Sequence, residues 1–382
     1  MKIAIVTDAI YPYMVGGSEI RNHEIAKRLV KKGHDVHIYG VKLWEGSDEK
    51  VVEGVRIHGV SKYRRLYNSR GKRNVLAPLI LSLKLPFYLS GKKFDIIETA
   101  AFNSPNCFST WFISKVNDSK LVFVWHQFFG NYFLDYFGTV KGTIAKFIEK
   151  WTTFLTPNNI CVSKHAGKCL ETQGVMKKNI QVIYNGVDFS LINSAKPSNK
   201  KYDLIFVGRL NYQKNLKLLI NSVNLLVKDF PKLRVCVIGE GAERDNLISL
   251  ICEKGLESHF DFLGRVDNRK KVISYMKSSK IFVLPSRLEG FPLTIVEANA
   301  AGLPIITTKT KYNNTSEYVK HGVNGMLTGL DKTDFSLKVK TLLENPKLRN
   351  KLSRNGRKIS KDFDWDRIAD EIEDYYLDVL RK

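Results

Sequence analysis

"NSAKPSNKKYDLIFVGRLNYQKNL", residues 193–216, holds the reading on which the fold turns. Its first nine residues are polar, carry Pro197 and show no apolar period, as a linker does. "YDLIFVG" (202–208) then reads as a strand apolar on both faces, as expected of a parallel strand covered on both sides. A helical pattern follows over 214–229. Upstream, the same alternation has already run once, through "KIAIVTD" (2–8), "DVHIYG" (35–40), "FDIIET" (94–99), "KLVFVW" (120–125) and "NNICVS" (158–163). Downstream it runs again, through "LRVCVIG" (233–239), "FDFLG" (260–264), "KIFVLPS" (280–286) and "LPIITT" (303–308). Helical stretches such as 18–32 and 242–254 lie between the strands. Such alternation implies a doubly wound α/β fold. The restart near 201 implies two Rossmann-like domains, about 1–190 and 201–361, and a length of 382 residues suits two cores. The acidic, aromatic stretch 362–382 reads as a closing helix that packs back onto the first domain. Ligands of such sheets bind beyond the carboxyl ends of the strands, so the expected site is the cleft between the domains.

The bulk numbers narrow the class. Hydrophobic content of 43% is that of a globular protein. The five cysteines are scattered without a CxxC, which fits reduced thiols rather than a disulfide framework or a zinc site. "MKIAIVTDAIYP" lacks the longer apolar core of a signal peptide. The net charge of +23 is partly concentrated: residues 50–94 hold eleven Lys and Arg against Glu53 alone. The densest piece, "SKYRRLYNSRGKRN" (61–74), suits anionic lipid head groups, a phosphorylated acceptor or nucleic acid, and equally suits a solvated loop. "VLAPLILSLKLPFYLSG" (75–91) is short of the ~20 residues of a membrane span and reads as a buried helix, with an interfacial helix as the alternative.

The strand-end loops carry the chemistry. In "PSRLEGFPLTIVEANAAGLP" (285–304), Pro292 suits the first position of a helix that Gly302 and Pro304 end. Glu289 precedes that helix and Glu297 lies about a turn and a half inside it. Gly290 lets the backbone approach a ligand, and the helix start offers N–H groups and partial positive charge. Such a unit can hold something with hydroxyls at one end and negative charge at the other; it can also be a capping acid with one internal salt bridge. Arg209 and Lys214, after the strand 202–208, suit a diphosphate or are surface charges. Gly16-Gly17 after the first strand permits close backbone approach or forms a plain turn, with Ser18 able to cap the next helix. His126 ends the strand 120–125, a place where histidines serve structure or catalysis. No P-loop occurs, and no GxGxxG opens a helix after the first strand.

Taken together, these stretches resemble the family 4 retaining glycosyltransferases of the two-domain GT-B fold, over nearly the whole chain. "EGFPLTIVEANAAGLPII" looks like the family's E-x7-E motif, and "VGRLNYQKN" is similar to its diphosphate motif. "VIYNGVD" (182–188), "GGSEIRNHEIAKRLVKKGHDV", "GEGAERDNL" and "FLGRV" match its crossover, phosphate-loop and nucleotide-contact segments in order. The resemblance implies that Glu297 holds ribose hydroxyls, while Glu289 and the amides of Gly290, Phe291 and Leu293 hold the donor sugar and its phosphate. It implies that Arg209 and Lys214 neutralise the leaving diphosphate, with Gly16 and Gly17 approaching it from the other domain. His126 would face the transferred sugar, and the backbone of Arg265 and Val266 the base. It implies a nucleotide-sugar donor, a glycan or lipid-linked acceptor, no metal and no other cofactor. The expectation is a cytoplasmic enzyme or one peripheral on the inner membrane face, with anionic membrane contact read from the basic and apolar stretch 61–91, and with no nucleic-acid partner. Two departures stand out: Glu98-Thr99 replaces a histidine-rich strand end, and Trp125-His126-Gln127 replaces the commoner His-Asp pair. The competing readings are a sugar-nucleotide epimerase or phosphorylase of the same fold, a basic nucleic-acid-binding protein, and an inactive scaffold. No RNA- or DNA-binding motif supports the second.

Overall fold

The computed structural model describes residues 1–62, 76–101 and 105–382. Most of the basic cluster 61–74 therefore lies outside the described residues. The chain divides into two units, one running to Asn185 and completed by Trp365–Lys382, the other Gly186–Asp364.

The first unit contains β1 (Lys2–Val6), α1 (Gly17–Lys31), β2 (Asp35–Val41), β3 (Glu49–Val52), β4 (Val55–Ser61), α2 (Leu76–Leu89) and β5 (Ile96–Ala100). It continues with α3 (Asn106–Val116), β6 (Lys120–Trp125), α4 (Tyr132–Phe137), α5 (Thr139–Thr152), β7 (Asn159–Cys161), α6 (Lys164–Thr172) and β8 (Ile180–Val182). Among the described residues its strands form one sheet in the order β3-β4-β2-β1-β5-β6-β7-β8, parallel except for β3. The steps β4→β5, β5→β6 and β6→β7 all cross the sheet in one direction. Right-handed crossovers then place α2, α3 and α5 on one face, and α1, from the opposite step β1→β2, on the other. There α1 packs against the chain's last helix, residues 365–381.

Strand β5 shows how the period of two serves both layers. Ile97 joins the core under α2 and α3, and Thr99 Oγ1 donates to Thr110 of α3 at 3.0 Å. Glu98 points the other way. Its carboxylate takes Arg21 Nη1 of α1 at 2.9 Å and the Tyr376 hydroxyl of the closing helix. All three side chains are buried, and Arg21 is 0% exposed. The departure at Glu98-Thr99 is therefore a structural tie.

The second unit contains α7 (Phe189–Ser194), β9 (Tyr202–Val207), α8 (Leu216–Leu226), β10 (Val235–Ile238), α9 (Arg244–Glu253), β11 (Phe260–Phe262) and α10 (Arg269–Lys277). After these come β12 (Ser279–Leu284), α11 (Leu293–Ala300), β13 (Ile305–Thr308), β14 (Gly325–Thr328), α12 (Lys332–Glu344) and α13 (Pro346–Ser360). Its described strands form an all-parallel sheet in the order β11-β10-β9-β12-β13-β14. The closing helix, α14 (Trp365–Arg381), belongs to the first unit.

Three readings need correction. The β3–β4 hairpin is unread in the sequence, although Glu53 (φ 50°) and Gly54 (φ 84°) form a two-residue turn with positive φ at both places, the twist that suits a hairpin. Lys214 precedes α8 rather than starting it, because Asn215, in the left-handed region at φ 54°, turns the chain into the helix. Helix α2 is buried on one side only: Ala77, Leu81, Leu85 and Leu89 face the core, and Leu76, Leu79, Leu83 and Phe87 face solvent.

Candidate active site

The second unit builds its site at the carboxyl edge of its sheet. The ends of β9, β10 and β11 are stitched together by backbone: Gly208 N–H donates to Ile238 at 3.0 Å, and Gly239 N–H to Gly264 at 2.8 Å. A Cβ on Gly239, at φ +141°, would run into the Gly208 carbonyl, so this approach requires glycine. Arg209 follows directly and is exposed. Arg265 is exposed and pairs with Asp267 at 2.6 Å, beside the half-buried Val266.

The loop after β9 is bound to the loop after β12. Asn215 Nδ2 donates to the Pro285 carbonyl at 3.2 Å, and Arg287 N–H to Gln213 at 2.7 Å. Across this seam Lys214 Nζ reaches Glu289 Oε1 at 2.6 Å, with the Glu289 side chain 8% exposed. The acid's own backbone is held on the other side: its N–H donates to Tyr312 at 3.3 Å, and its carbonyl accepts from Asn314 at 3.1 Å. Both groups of the pair are thus held on loops that backbone hydrogen bonds tie to their neighbours, as a preorganised charge site requires.

Helix α11 begins at Leu293. Pro292, expected as its first residue, is instead the extended residue before it, with ψ 96°. Gly302 ends the helix at φ +90°, as expected. The half-buried Phe291 ring packs on Tyr318 at 4.5 Å and Phe363 at 6.0 Å, so its side chain is engaged within the unit. Glu297 is 8% exposed, and its Oε1 accepts from Arg269 Nη2 at 2.7 Å. Sequence reasoning missed Arg269. It opens α10, 28 residues upstream, and only the sheet order brings it beside α11.

The other candidate residues lie in the first unit, at the carboxyl edge of its own sheet. Gly16 is the residue before α1, so Ser18 does not cap that helix as expected. A Cβ on Gly16 would meet the carboxylate of Glu19, an acid the sequence reading also passed over. His126 follows β6 and is half-buried. The loop after it is held by Glu149 of α5, which accepts from the N–H groups of Phe129 at 2.9 Å and Gly130 at 2.8 Å. Burial pushes the Glu149 carboxyl up to about 7 against the pull of those two amides. Among the described residues no group of three or more His, Cys, Asp or Glu is placed to hold a metal ion.

Comparison with known proteins matches both halves. Residues 15–191 match the model of Glycosyltransferase Family 4, and residues 189–359 that of Glycosyl transferases group 1. An uncharacterized glycosyltransferase of Methanocaldococcus jannaschii is 26% identical over 99% of each chain. The UDP-Gal:alpha-D-GlcNAc-diphosphoundecaprenol alpha-1,3-galactosyltransferase of Escherichia coli is 28% identical over 64% of this chain and 67% of its own. The structure of sucrose-phosphate synthase from Thermosynechococcus elongatus superposes with a TM-score of 0.84, covering 100% of this chain and 99% of that one at 18% identity, which is a likeness of fold.

Proposed function

Since the chain belongs to the glycosyltransferases, with a family 4 region followed by a group 1 region on a GT-B fold, we propose that it moves a hexose from a nucleoside-diphosphate sugar to an acceptor hydroxyl with retention of configuration. The observation that carries this reading is the pair of buried acids, Glu289 and Glu297, each already matched to a cation at one strand edge. Buried carboxylates that face a ligand-binding edge suit hydroxyl groups, which donate to them.

In this reading Glu297 accepts from the ribose hydroxyls and Arg269 holds its other side. Glu289 accepts from the donor sugar, and the backbone of Gly290, Phe291 and Leu293 faces the phosphate. The backbone of Arg265 and Val266 meets the base. The acceptor oxygen forms a bond to the sugar's anomeric carbon as the carbon–phosphate oxygen bond breaks. The bonding pair leaves on the phosphate, which receives the acceptor's proton. Arg209 and Lys214 stabilise the charge that builds there, the task a metal performs in other transferases, so the reaction proceeds with a chelator present. Gly16, Gly17 and His126 keep the diphosphate and sugar roles that the family resemblance implies. The acceptor is a glycan or lipid-linked glycan, as the name of the Escherichia coli relative suggests, used at the cytoplasmic face of an anionic membrane that the segment 61–91 touches. The enzyme then serves surface polysaccharide, glycolipid or glycoprotein glycan synthesis.

The test is a thermal-shift panel of UDP-, GDP-, ADP- and dTDP-sugars, with Glu297→Ala and Arg209→Ala alongside. One nucleotide class stabilises the protein, and both variants lose the shift. A folded protein that no nucleotide sugar stabilises overturns the reading.

A further inference from the structure

Helix α5 is built inside out. Its side toward the protein presents Gly142, Glu149 and Thr152, all buried. Gly142 lies so close to α4 that a Cβ there would meet the Phe133 carbonyl and the Leu134 backbone. The opposite side presents Val140, Ile144, Phe147 and Trp151, at i, i+4, i+7 and i+11, hence on one stripe. Phe147 is 61% exposed and Trp151 55%. A helix folding against its own core in water would be turned the other way.

The outer sides of α2 and α3 show the same feature, and right-handed crossovers put both helices on the same face of the sheet as α5. Helix α2 shows Leu76, Leu79, Leu83 and Phe87, the last 84% exposed. Helix α3, packed beside it, shows Phe108, Trp111, Phe112 and Val116. The charged groups that flank these side chains are of one sign: Lys84, Lys115, Lys141 and Lys150 are all exposed, while Lys146, on the Gly142–Glu149 side of α5, donates to Asn131 at 2.7 Å. The sole acid in the three helices is Glu149, turned inward onto the Phe129 and Gly130 amides. No helix among the described residues is long and apolar enough to cross a membrane.

We propose that the outer face of α2, α3 and α5 seats on an anionic lipid surface, with the stripe of α5 as its principal anchor. Aromatic and aliphatic side chains enter the boundary between head groups and acyl chains, and the lysines meet lipid phosphates. A second copy of this chain is the poorer occupant, because it would set lysines against lysines. This inference rests on the membrane reading above and extends it from the segment 61–91 to two further helices.

The test uses the full chain and vesicles of equal parts phosphatidylcholine and phosphatidylglycerol, compared with phosphatidylcholine alone. Co-sedimentation and the blue shift of tryptophan emission give binding. Sedimentation velocity without lipid gives the oligomeric state. The wild type binds the anionic vesicles, binding weakens with salt, and Phe147→Ser/Trp151→Ser lowers the partition by about tenfold or more. Leu337→Ser, which removes an exposed apolar side chain of the second unit, leaves it unchanged. The nucleotide-sugar thermal shift of each variant shows that it is folded and that the donor site is intact. Vesicle binding that the double substitution leaves intact overturns this placement and spares the broader membrane reading. No binding to anionic vesicles overturns both. A lipid-free dimer that the double substitution dissolves assigns the face to self-association and overturns the proposal.

Discussion

Replacing Glu98 by leucine tests the tie between β5, α1 and α14. The Arg21–Glu98 contact is 2.9 Å with side chains 0% and 2% exposed, so the guanidinium left behind has no route to water. Stranding one member of a buried pair costs about 3–5 kcal/mol. The Tyr376 hydroxyl also loses its acceptor, which adds about 1–3 kcal/mol. The sum approaches the about 5–15 kcal/mol that holds a whole domain together. Arg21 is poorly satisfied even with Glu98 present: its Nε and Nη2 are buried with no hydrogen-bond partner among the described residues. The triple variant Arg21→Leu/Glu98→Leu/Tyr376→Phe therefore regains the whole loss, ending between neutral and about 4 kcal/mol more stable than the wild type. All five tryptophans (44, 111, 125, 151 and 365) lie in the first unit, so urea unfolding followed by intrinsic fluorescence reads that unit alone. A triple variant as unstable as Glu98→Leu would refute the electrostatic account and assign the cost to packing.

The Lys214–Glu289 pair separates structure from chemistry. Lys214→Met lowers kcat/KM by about 10²–10³ through lost leaving-group stabilisation, and Lys214→Met/Glu289→Gln recovers thermal stability without activity; recovered turnover in a nucleotide-release assay would make the pair purely structural. Gly239→Ala costs the second unit about 2 kcal/mol or more, because φ +141° is strained for a side chain and the Gly208 carbonyl blocks it; calorimetry checks this. Glu149 holds its proton more tightly when folded, so its stabilisation is full below its ordinary 4.5 and is lost as pH rises through about 7, about 3 kcal/mol in all. Fluorescence-detected unfolding at pH 5.5 and 8 shows Glu149→Gln gaining on the wild type at the higher pH, and an unchanged difference contradicts the shift.

The parallel strands were legible because both faces of each are covered, which leaves an unbroken apolar run. β4, β8 and β14 were not: Arg56 and His58 break the run in β4, β8 has no buried residue, and β14 opens on a glycine. Glu289, Lys214 and Arg209 were legible as residue types in the loops after strands, and Glu297 as an acid inside the helix that follows. Their pairings were not, since Lys214 and Glu289 stand 75 positions apart and Arg269 belongs to another helix. Exposure misled most in α2. It has apolar residues at both the buried and the solvent positions, so no polar stripe tells which side is wet. In α5 periodicity would have chosen the wrong side altogether.

The return of Trp365–Lys382 to the first unit has a consequence for biosynthesis. The sheet of that unit is complete by Val182, yet Arg21 and Glu98 wait for Tyr376. At about 5–20 residues per second, the intervening chain takes roughly 10–40 s to emerge. The second unit, contiguous from Gly186 to Asp364, can close during that interval. The portion of the protein made first is the portion finished last.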